Sequence, residues 1–341
     1  MSNIYFDEFV RQSAFSEEGY YLSSKSLKDK GDFITSPLLS KYFGSSLGYF
    51  IINEVITKFG NTPFNIIELG CNDALLTKHI LDYIKTYNLE IYNLISFILI
   101  DQNYKLRSKI EANLEDHESK FIFLTDLKSF DAENKNSFLF CNELFDALPF
   151  HRCISRENKL FEISIFKDEM GKYIEKEVAA RQELINRISS LNIKINNNYF
   201  FEFPGSEFFD ILYDINNLKS NILLLIIDYG EKQISFGSPK NPNGTARCFQ
   251  NNKVSQNFYD RNQKDITYSI NFEILLKQLS LYGFSENYYK TQSRFLLDNF
   301  FLDIINDEIN KRDIELVKLK NLVSPVYMGE VFKVIQFSRI I

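Results

Sequence analysis

The sequence predicts an α/β protein built on a parallel, Rossmann-like sheet. Short apolar runs alternate with amphipathic segments along the chain, and several of these runs are apolar at nearly every position. Such runs are typical of strands buried on both faces. Alternation of strands with helices predicts β-α units and a parallel sheet. Hydrophobic residues make up 45% of the chain and charged residues 25%, which predicts a globular protein with a sizeable core.

The first 60 residues predict a helical cap that precedes the sheet. Ser36-Pro37 is a favourable helix start, because serine accepts hydrogen bonds from free backbone N–H groups and proline suits the first turn. Gly60 is a favourable helix stop. The next segments predict five strands and the helix after the first of them: strands Asn65–Gly70, Leu94–Asp101, Phe121–Leu124, Ser137–Cys141 and Asn221–Asp228, and helix Ala74–Tyr87.

The spacing of these strands predicts the domain organisation. Residues 61–150 form the first part of the core and 218–341 the second, with a last strand over Glu330–Ser338. The connection between them, 151–217, is far longer than a crossover requires. It therefore predicts an inserted substrate-side subdomain, in which alternating residues around Leu160–Phe166 indicate an antiparallel hairpin. The Asn- and Gly-rich stretch 231–262 predicts a long functional loop.

Composition narrows the possible partners. The net charge is −6 and no long basic run occurs, which argues against nucleic acid and permits a basic peptide substrate. The four cysteines contain no CxxC pair, so neither a zinc site nor any other metal site is expected. We predict a cytoplasmic protein without membrane insertion, because no targeting segment or bilayer-length apolar run is seen. The sequence leaves the oligomeric state open.

The turn after the first strand is the strongest candidate for a cofactor site. Gly70 allows close backbone approach, and Asn72 tolerates a positive φ better than most residues. Asp101, at the end of the second strand, is placed to accept hydrogen bonds from a ribose. Asp126, after the third strand, is a candidate for the adenine amino group, although a plain loop acid is the commoner case. Glu68 precedes the glycine and completes the predicted set.

Carboxylates also follow the fourth and fifth strands. Asn142, Glu143 and Asp146 come after the fourth strand, and Asp228 ends the fifth. Acids at this edge could hold a cationic nucleophile or accept its proton. A helix cap and first turn would favour the same residues. We take Glu143, Asp146 and Asp228 as the candidate catalytic residues, Asn142 as a cofactor contact and His151 as a weak candidate.

Seven ordered blocks of residues support a family assignment. They are Gly31–Pro37 with Phe43-Gly44, Glu68–Gly70, Asn142–His151, Asp228–Gly230, Gly244-Thr245 with Arg247, Asp265–Thr267, and finally Thr291-Gln292 with Phe295-Leu296 and Met328–Lys333. In these blocks the chain resembles the MidA-like methyltransferases, which include a mitochondrial protein arginine methyltransferase that acts in respiratory complex I assembly.

The resemblance implies S-adenosylmethionine bound at the Gly70 turn. It also implies that Asp32, Thr35 and Ser36 lie over the cofactor or the substrate mouth, and we add Thr35 and Ser36 to the cofactor-binding candidates. The family pattern has Pro-Gly-x-Gly after the first glycine, whereas this chain reads Cys71–Ala74.

Several functions remain open at this stage. The leading hypothesis is S-adenosylmethionine-dependent methylation of arginine on a protein substrate. A non-catalytic assembly or binding module and a small-molecule methyltransferase are the alternatives. A nicotinamide oxidoreductase is least favoured, since the three-glycine fingerprint is absent.

Overall fold

The computed structural model describes residues 3–22, 40–132, 135–250, 253–259, 264–299, 301–303, 306, 316–325 and 327–341. The chain forms two compact units. The sheet unit comprises Ile34–Leu144, Asp214–Tyr229 and Tyr282–Ile341, and the insertion unit comprises Met1–Phe33, Phe145–Tyr213 and Gly230–Leu281. The domain boundaries expected from the sequence stay a prediction.

The sheet unit is built on a central sheet whose strands we number in chain order. Its spatial order is β3-β2-β1-β4-β5-β7-β6. Strands β1 to β5 are parallel to one another, whereas β7 runs antiparallel to both β5 and β6. The bounds are β1 Phe64–Leu69, β2 Ile95–Ile100, β3 Phe121–Leu124, β4 Asn136–Asn142, β5 Ile222–Glu231, β6 Ser285–Thr291 and β7 Phe332–Arg339. This sheet confirms the predicted Rossmann-like fold class.

Burial explains why these segments are strands. All six residues of β1 and the first nine of β5 are buried. A strand covered on both faces has no polar alternation to display, which is why both segments read as continuous apolar runs.

Helices cover this sheet through close packing. In helix Lys41–Phe59, a Cβ added at Gly44 would come within 2.4 Å of the His79 Cβ, and one added at Gly48 within 2.9 Å of the Tyr83 ring. The two glycines therefore let this helix approach the one that follows β1. The longer helices of the sheet unit are Lys41–Phe59, Leu75–Tyr87, Leu89–Leu94, Arg107–Asn113, Gln292–Asp298, Leu316–Val323 and Met328–Val331.

The expected helical cap over residues 1–60 is not confirmed. Helix Phe6–Phe15 lies in the insertion unit and helix Lys41–Phe59 in the sheet unit. The second helix starts after Ser40, whose hydroxyl accepts from the Tyr42 N–H at 3.1 Å, and it ends at Gly60 as expected. The predicted start at Ser36-Pro37 lies outside the described residues.

The insertion unit contains a second, antiparallel sheet. The predicted hairpin is present, because Phe150–Arg156 pairs with Lys159–Lys167. The second of these strands also pairs with Tyr173–Ala179 and with Ile4–Tyr5, and the first pairs with Phe200–Pro204. Helices of this unit are Phe6–Phe15, Gln182–Ser190 and Phe272–Leu281, and helix Ser206–Asn217 begins in it.

Described parts of the stretch 231–262 form short paired strands. Arg247–Gln250 forms the centre of a small antiparallel sheet with Lys253–Ser255 and Asp265–Thr267. Ser235–Phe236 pairs with Lys194–Ile195, and Ile270–Asn271 runs parallel to Gly230-Glu231 at the end of β5. Short paired strands escape sequence patterns because two to four residues are too few to show alternation.

A buried ion-pair network connects the first helix to the hairpin. The Arg181 Nη2 atom lies 2.6 Å from Asp7 Oδ1, 2.9 Å from Glu162 Oε2 and 2.9 Å from His151 Nδ1. One side-chain oxygen or nitrogen atom from each of Asp7, His151 and Glu162 lies within 4.8 Å of the other two. The Arg181 guanidinium supplies the positive charge among these three side chains. The structure therefore places His151, the weak site candidate, in an ion-pair network.

Removing this guanidinium should destabilise the protein. In Arg181→Met, the buried Asp7 and Glu162 carboxylates would lose their cation, and we expect the free energy of unfolding to fall by about 2–4 kcal/mol. Chemical denaturation measures this change. The control is Arg156→Met, which breaks an exposed pair with Glu177 and should change little. Equal losses in the two variants would contradict the assigned role of the network.

Candidate functional site

The carboxyl ends of the parallel strands gather most of the predicted site residues at one edge. Because β1 to β5 run in the same direction, the residues that follow them meet at that edge. Ligands of open α/β sheets bind there. The residues concerned are Gly70, Asp101, Asp126, Asn142 and Asp228, all within the sheet unit.

The turn after β1 is held by backbone hydrogen bonds to the neighbouring strand. The N–H groups of Gly70 and Cys71 donate to the carbonyl oxygen of Ile100, at 2.8 and 3.2 Å. The Ala74 N–H then donates to Cys71 O at 2.8 Å and closes the turn into the helix that starts at Leu75. The turn thus joins a buried strand to a helix N-terminus, where electron-rich groups are favoured.

Left-handed backbone conformations make this turn sharp. Gly70 has φ +73°, Asn72 +49° and Ala74 +60°. Asn72 and Ala74 occupy the two positions at which the family pattern has glycine. Residues with a Cβ pay about 1–2 kcal/mol each for this conformation, although asparagine adopts it more readily. Asn72 and Ala74 therefore adopt a left-handed conformation that glycine would adopt without a steric penalty.

Asp101 fixes the same turn from β2. Its Oδ2 atom accepts from the Asn72 N–H at 3.0 Å and its Oδ1 atom from the Asn103 N–H at 2.9 Å. Burial raises the pKa of Asp101, and these two backbone hydrogen bonds oppose the shift. The carboxylate oxygens have further lone pairs that can accept hydrogen bonds. The position of Asp101 is therefore compatible with the expected ribose contact, which stays a prediction.

Glu68 lies in the buried part of β1 and bonds a neighbouring helix. Its side chain is 3% exposed, and its carboxyl group hydrogen-bonds the Thr77 hydroxyl. Burial raises the pKa of Glu68 to about 8, so the carboxyl is largely protonated at neutral pH. This position supports the turn from beneath, whereas a direct cofactor contact stays a prediction.

The remaining predicted cofactor residues differ in their positions. Asp126 is exposed, and its Oδ1 atom accepts from both the backbone N–H and the hydroxyl of Ser129, at 2.9 and 2.8 Å. It therefore caps the single-turn helix Leu127–Ser129. Thr35 and Ser36 lie outside the described residues, as does Asp32.

Asn142 and Glu143 stand at the end of β4, beside the turn. The Glu143 N–H donates to Ile227 O at 2.9 Å, and Glu143 itself has φ +54°. The Asn142 Nδ2 atom donates to Glu143 Oε1 at 3.1 Å. Asp228 follows Ile227 on β5, is fully buried and accepts from the Tyr229 N–H at 2.8 Å. Asn142 and Glu143 therefore lie at the end of β4, and Asp228 lies on the adjacent β5, three residues before that strand ends at Glu231.

Asp146, the third catalytic candidate, belongs to the insertion unit. Its side chain is buried, and its carbonyl oxygen accepts from the Tyr268 N–H at 3.2 Å. It lies in the single-turn helix Phe145–Ala147. Its place in the chemistry stays a prediction.

The residues of the sheet unit fit an adenosyl cofactor. The buried Asn142 Oδ1 atom has no hydrogen-bond partner among the described residues, so it offers an acceptor to a ligand. A Cβ added at Gly70 would come within 3.0 Å of Leu144 Cδ1, so the absence of a side chain at Gly70 lets Leu144 pack closely against the turn. An acceptor oxygen suits the hydroxyl groups of a ribose, and a helix N-terminus suits the carboxylate of an amino-acid moiety.

Sequence reasoning missed two supporting residues. Thr77 bonds Glu68 from the inward face of its helix, and Asn103 meets Asp101 through its backbone. A buried threonine on an otherwise apolar helix face was the available signal for the first. The second contact depends on backbone geometry alone, which no residue type reveals.

Ionisation of Glu68 should make stability depend on pH. Its pKa rises from 4.5 to about 8 on folding, so the unfolded chain releases the proton first. Stability contributed by this group is present below pH 4.5 and is lost as the pH rises towards 8. In Glu68→Gln, the fall in melting temperature between pH 5 and 8.5 should be smaller than in the parent protein. An unchanged pH profile would show that Glu68 is already ionised.

Solved structures with the same fold include a Burkholderia thailandensis protein with bound S-adenosylhomocysteine. It is 20% identical to this chain, with a TM-score of 0.82, over 99% of this chain and 88% of the other. A native structure from the same organism gives 21% identity and a TM-score of 0.81, over 99% and 87%. These similarities show the fold.

Within the described residues, no helix is long and apolar enough to cross a membrane.

Curated relatives share part of the sequence. The mitochondrial protein arginine methyltransferase NDUFAF7 of Rattus norvegicus is 31% identical over 163 residues, which are 40% of this chain and 35% of that protein. Its Drosophila melanogaster homologue is 22% identical over 296 residues, 79% of this chain and 64% of that protein. This chain thus spans about a third of the length of the mammalian relatives it matches.

A family-wide sequence profile matches a larger part of the chain. Residues 48–285 match the family described as "Putative S-adenosyl-L-methionine-dependent methyltransferase". The match includes the Gly70 turn and the Asn142-Glu143 segment. This match confirms the resemblance seen in the sequence, and it confirms the prediction that the cofactor is S-adenosylmethionine. The chain belongs to this family of S-adenosylmethionine-dependent methyltransferases.

Proposed function

We propose that this chain transfers the methyl group of S-adenosylmethionine to an arginine nitrogen of a protein substrate. The proposal rests on one observation above all: the segment that carries Asn142 and Glu143 packs against the Gly70 turn through Leu144. This packing supports the proposal, because it sets a carboxylate beside the turn at which we expect the cofactor to bind. The names of the curated relatives support arginine as the acceptor.

The chemistry requires positioning more than activation of the donor. The cofactor supplies an electrophilic methyl on a sulfonium, and methyl transfer breaks that C–S bond as the N–C bond forms. The acceptor nitrogen must lie in line behind the methyl at about 3–3.5 Å. A guanidinium is protonated and delocalised, which makes it a weak nucleophile. Carboxylates orient it and accept the proton that its nitrogen loses after transfer.

Glu143 is the best-placed carboxylate for this role in the sheet unit. It is only partly buried and stands at the strand end, whereas Asp228 is fully buried and bonds the backbone beside it. We therefore assign guanidinium contact and proton acceptance to Glu143. We assign Asp228 the positioning of the β5 end, and Asp146 a contact to the substrate.

Loss of the Glu143 charge should slow methyl transfer more than it weakens cofactor binding. With labelled S-adenosylmethionine and a pool of synthetic peptides containing one arginine each, we expect Glu143→Gln to lower kcat at least about 100-fold. Asp146→Asn should raise KM for the peptide. Mass spectrometry of the products locates the methyl group.

The matched control is Glu115→Gln, which removes an exposed acid of the same unit and should transfer at the parental rate. Parental rates in Glu143→Gln would remove this residue from the mechanism. Methylation of lysine peptides in preference to arginine peptides would change the proposed substrate.

A second candidate function is a non-catalytic binding module. The residues that favour it are Asn72 and Ala74, which stand where the family pattern has glycine. Calorimetry with S-adenosylmethionine discriminates the two functions, because a module without the cofactor would bind none at millimolar ligand. A small-molecule methyltransferase would bind the cofactor and transfer to no peptide.

The shape of the turn should control cofactor affinity. Gly70→Ala adds a Cβ at φ +73°, within 3.0 Å of Leu144, so we expect the Kd for S-adenosylmethionine to rise at least about tenfold. Gly171→Ala is a close control, because its φ is +79° and a Cβ there would contact nothing within 4 Å. Equal affinities of the two variants for S-adenosylmethionine would show that the shape of the Gly70 turn does not control cofactor binding.

Partner and location complete the proposal. We infer a protein substrate, and the resemblance links the activity to respiratory complex assembly. The predicted cytoplasmic location stays a prediction, since the curated relatives are named as mitochondrial.

A further inference from the structure

A buried hydrogen bond joins the strand that enters the Gly70 turn to the helix that leaves it. Thr77 lies in the first turn of helix Leu75–Tyr87, and its hydroxyl donates to the Glu68 carboxyl group in β1. The two residues are 0% and 3% exposed. Because water cannot reach them, loss of either partner would leave the other without a hydrogen bond. We call this contact the interior bond.

The backbone enclosed by the interior bond is strained. Asn72 and Ala74 lie between Glu68 and Thr77 in the chain, and their φ angles are +49° and +60°. Residues with a Cβ adopt this conformation at a steric cost. Such conformations persist where the surrounding structure fixes the chain on both sides. The interior bond supplies a constraint of this kind, because it fixes the residues before and after the strained segment.

Other contacts hold the turn at residues that are at least partly exposed. The Asn72 N–H donates to Asp101 Oδ2 at 3.0 Å, and the Asp73 carbonyl oxygen accepts from Asn113 Nδ2 at 2.8 Å. Water can compete for polar groups at such positions, whereas it is excluded from the interior bond. The interior bond is therefore the anchor of the turn within the protein core.

We propose that Thr77 is a positioning residue for S-adenosylmethionine, because its hydrogen bond to Glu68 holds the Gly70 turn in the conformation that receives the cofactor. Thr77 acts through Glu68 and the backbone of the turn. A turn that is ordered before binding loses less conformational entropy when the ligand binds, and this raises the affinity. The inference concerns the methyl donor, so it does not depend on arginine as the acceptor.

The strain in the turn gives this proposal a specific signature. Ala74→Gly permits the positive φ without a steric cost, so the turn should depend less on the interior bond. Thr77→Val should therefore raise the Kd for the cofactor by a smaller factor when residue 74 is glycine. A hydroxyl that served only the packing of its helix would show no such coupling.

Calorimetry of the full chain with S-adenosylmethionine tests the role of Thr77. Thr77→Val keeps the shape of the side chain and removes the hydroxyl, so the Kd should rise at least about tenfold. Thr77→Ser restores the hydroxyl and should return the Kd to within about threefold of the parental value. The control is Ile84→Val, a fully buried change near the other end of the same helix, which should bind with parental affinity.

The titration of Glu68 provides a second readout, measured by NMR of its carboxyl carbon. Burial is the main cause that raises the pKa of Glu68 to about 8, the Thr77 hydrogen bond opposes it, and the charges of Asp73 and Asp101 add to it. Loss of the hydroxyl in Thr77→Val should move this titration to higher pH, and Thr77→Ser should return it. An unmoved titration would show that Thr77 does not act through Glu68.

Several results would overturn the proposal. They are parental affinity in Thr77→Val, an equal loss in Ile84→Val, no recovery in Thr77→Ser, and an equal effect of Thr77→Val with alanine or glycine at position 74. Where Thr77→Val fails to fold, Thr77→Cys offers a weak donor and should bind several-fold more weakly. Parental affinity in that variant would also overturn the proposal.

The outcomes separate this inference from the proposed function. Weaker cofactor binding in Thr77→Val, together with no methyl transfer to any arginine peptide by the parent protein, would support the positioning role and reject the proposed acceptor. Transfer to arginine peptides with an unchanged Kd in Thr77→Val would support the proposed function and reject the positioning role.

Discussion

The backbone turn that follows β1 is the constraint on which the candidate site depends. Two N–H groups of the turn donate to Ile100 O, and Asp101 accepts from a third, so the turn is fixed by β2 as well as by its own conformation. The sheet order sets β4 on the other side of β1, where Leu144 contacts Gly70. The turn that we expect to hold the cofactor and the candidate catalytic carboxylate Glu143 therefore lie at one edge of the sheet.

Buried ionisable groups support both units in different ways. Glu68 meets the cost of burial by staying protonated and bonding Thr77. The insertion unit instead places the Asp7 and Glu162 carboxyl groups against the guanidinium of Arg181. The first arrangement depends on pH near neutrality, whereas the second depends on keeping several chain segments together. Each is a polar group that must be satisfied because water cannot reach it.

The sequence carries enough information for the sheet and much less for the insertion unit. Strands such as β1 and β5 are buried on both faces, so their composition alone identifies them. The pairing of Tyr21 with Asp265 joins residues 244 positions apart, and no local pattern encodes such a contact. Acids at strand ends were recognisable, yet Asp126 shows the limit: a capping acid and a ligand-binding acid look the same in sequence.

The conformations of Asn72 and Ala74 bear on how such sites diverge. Amide groups of the main chain point where the torsion angles direct them, whatever side chain is attached. Asn72 and Ala74 can therefore direct the amide groups of this turn as glycine would at the same torsion angles. The strain of a left-handed conformation at a residue with a Cβ lowers the stability of the folded state, and packing around the turn has to offset this loss. A sharp strand-to-helix turn of this kind therefore does not require glycine at every position with a positive φ.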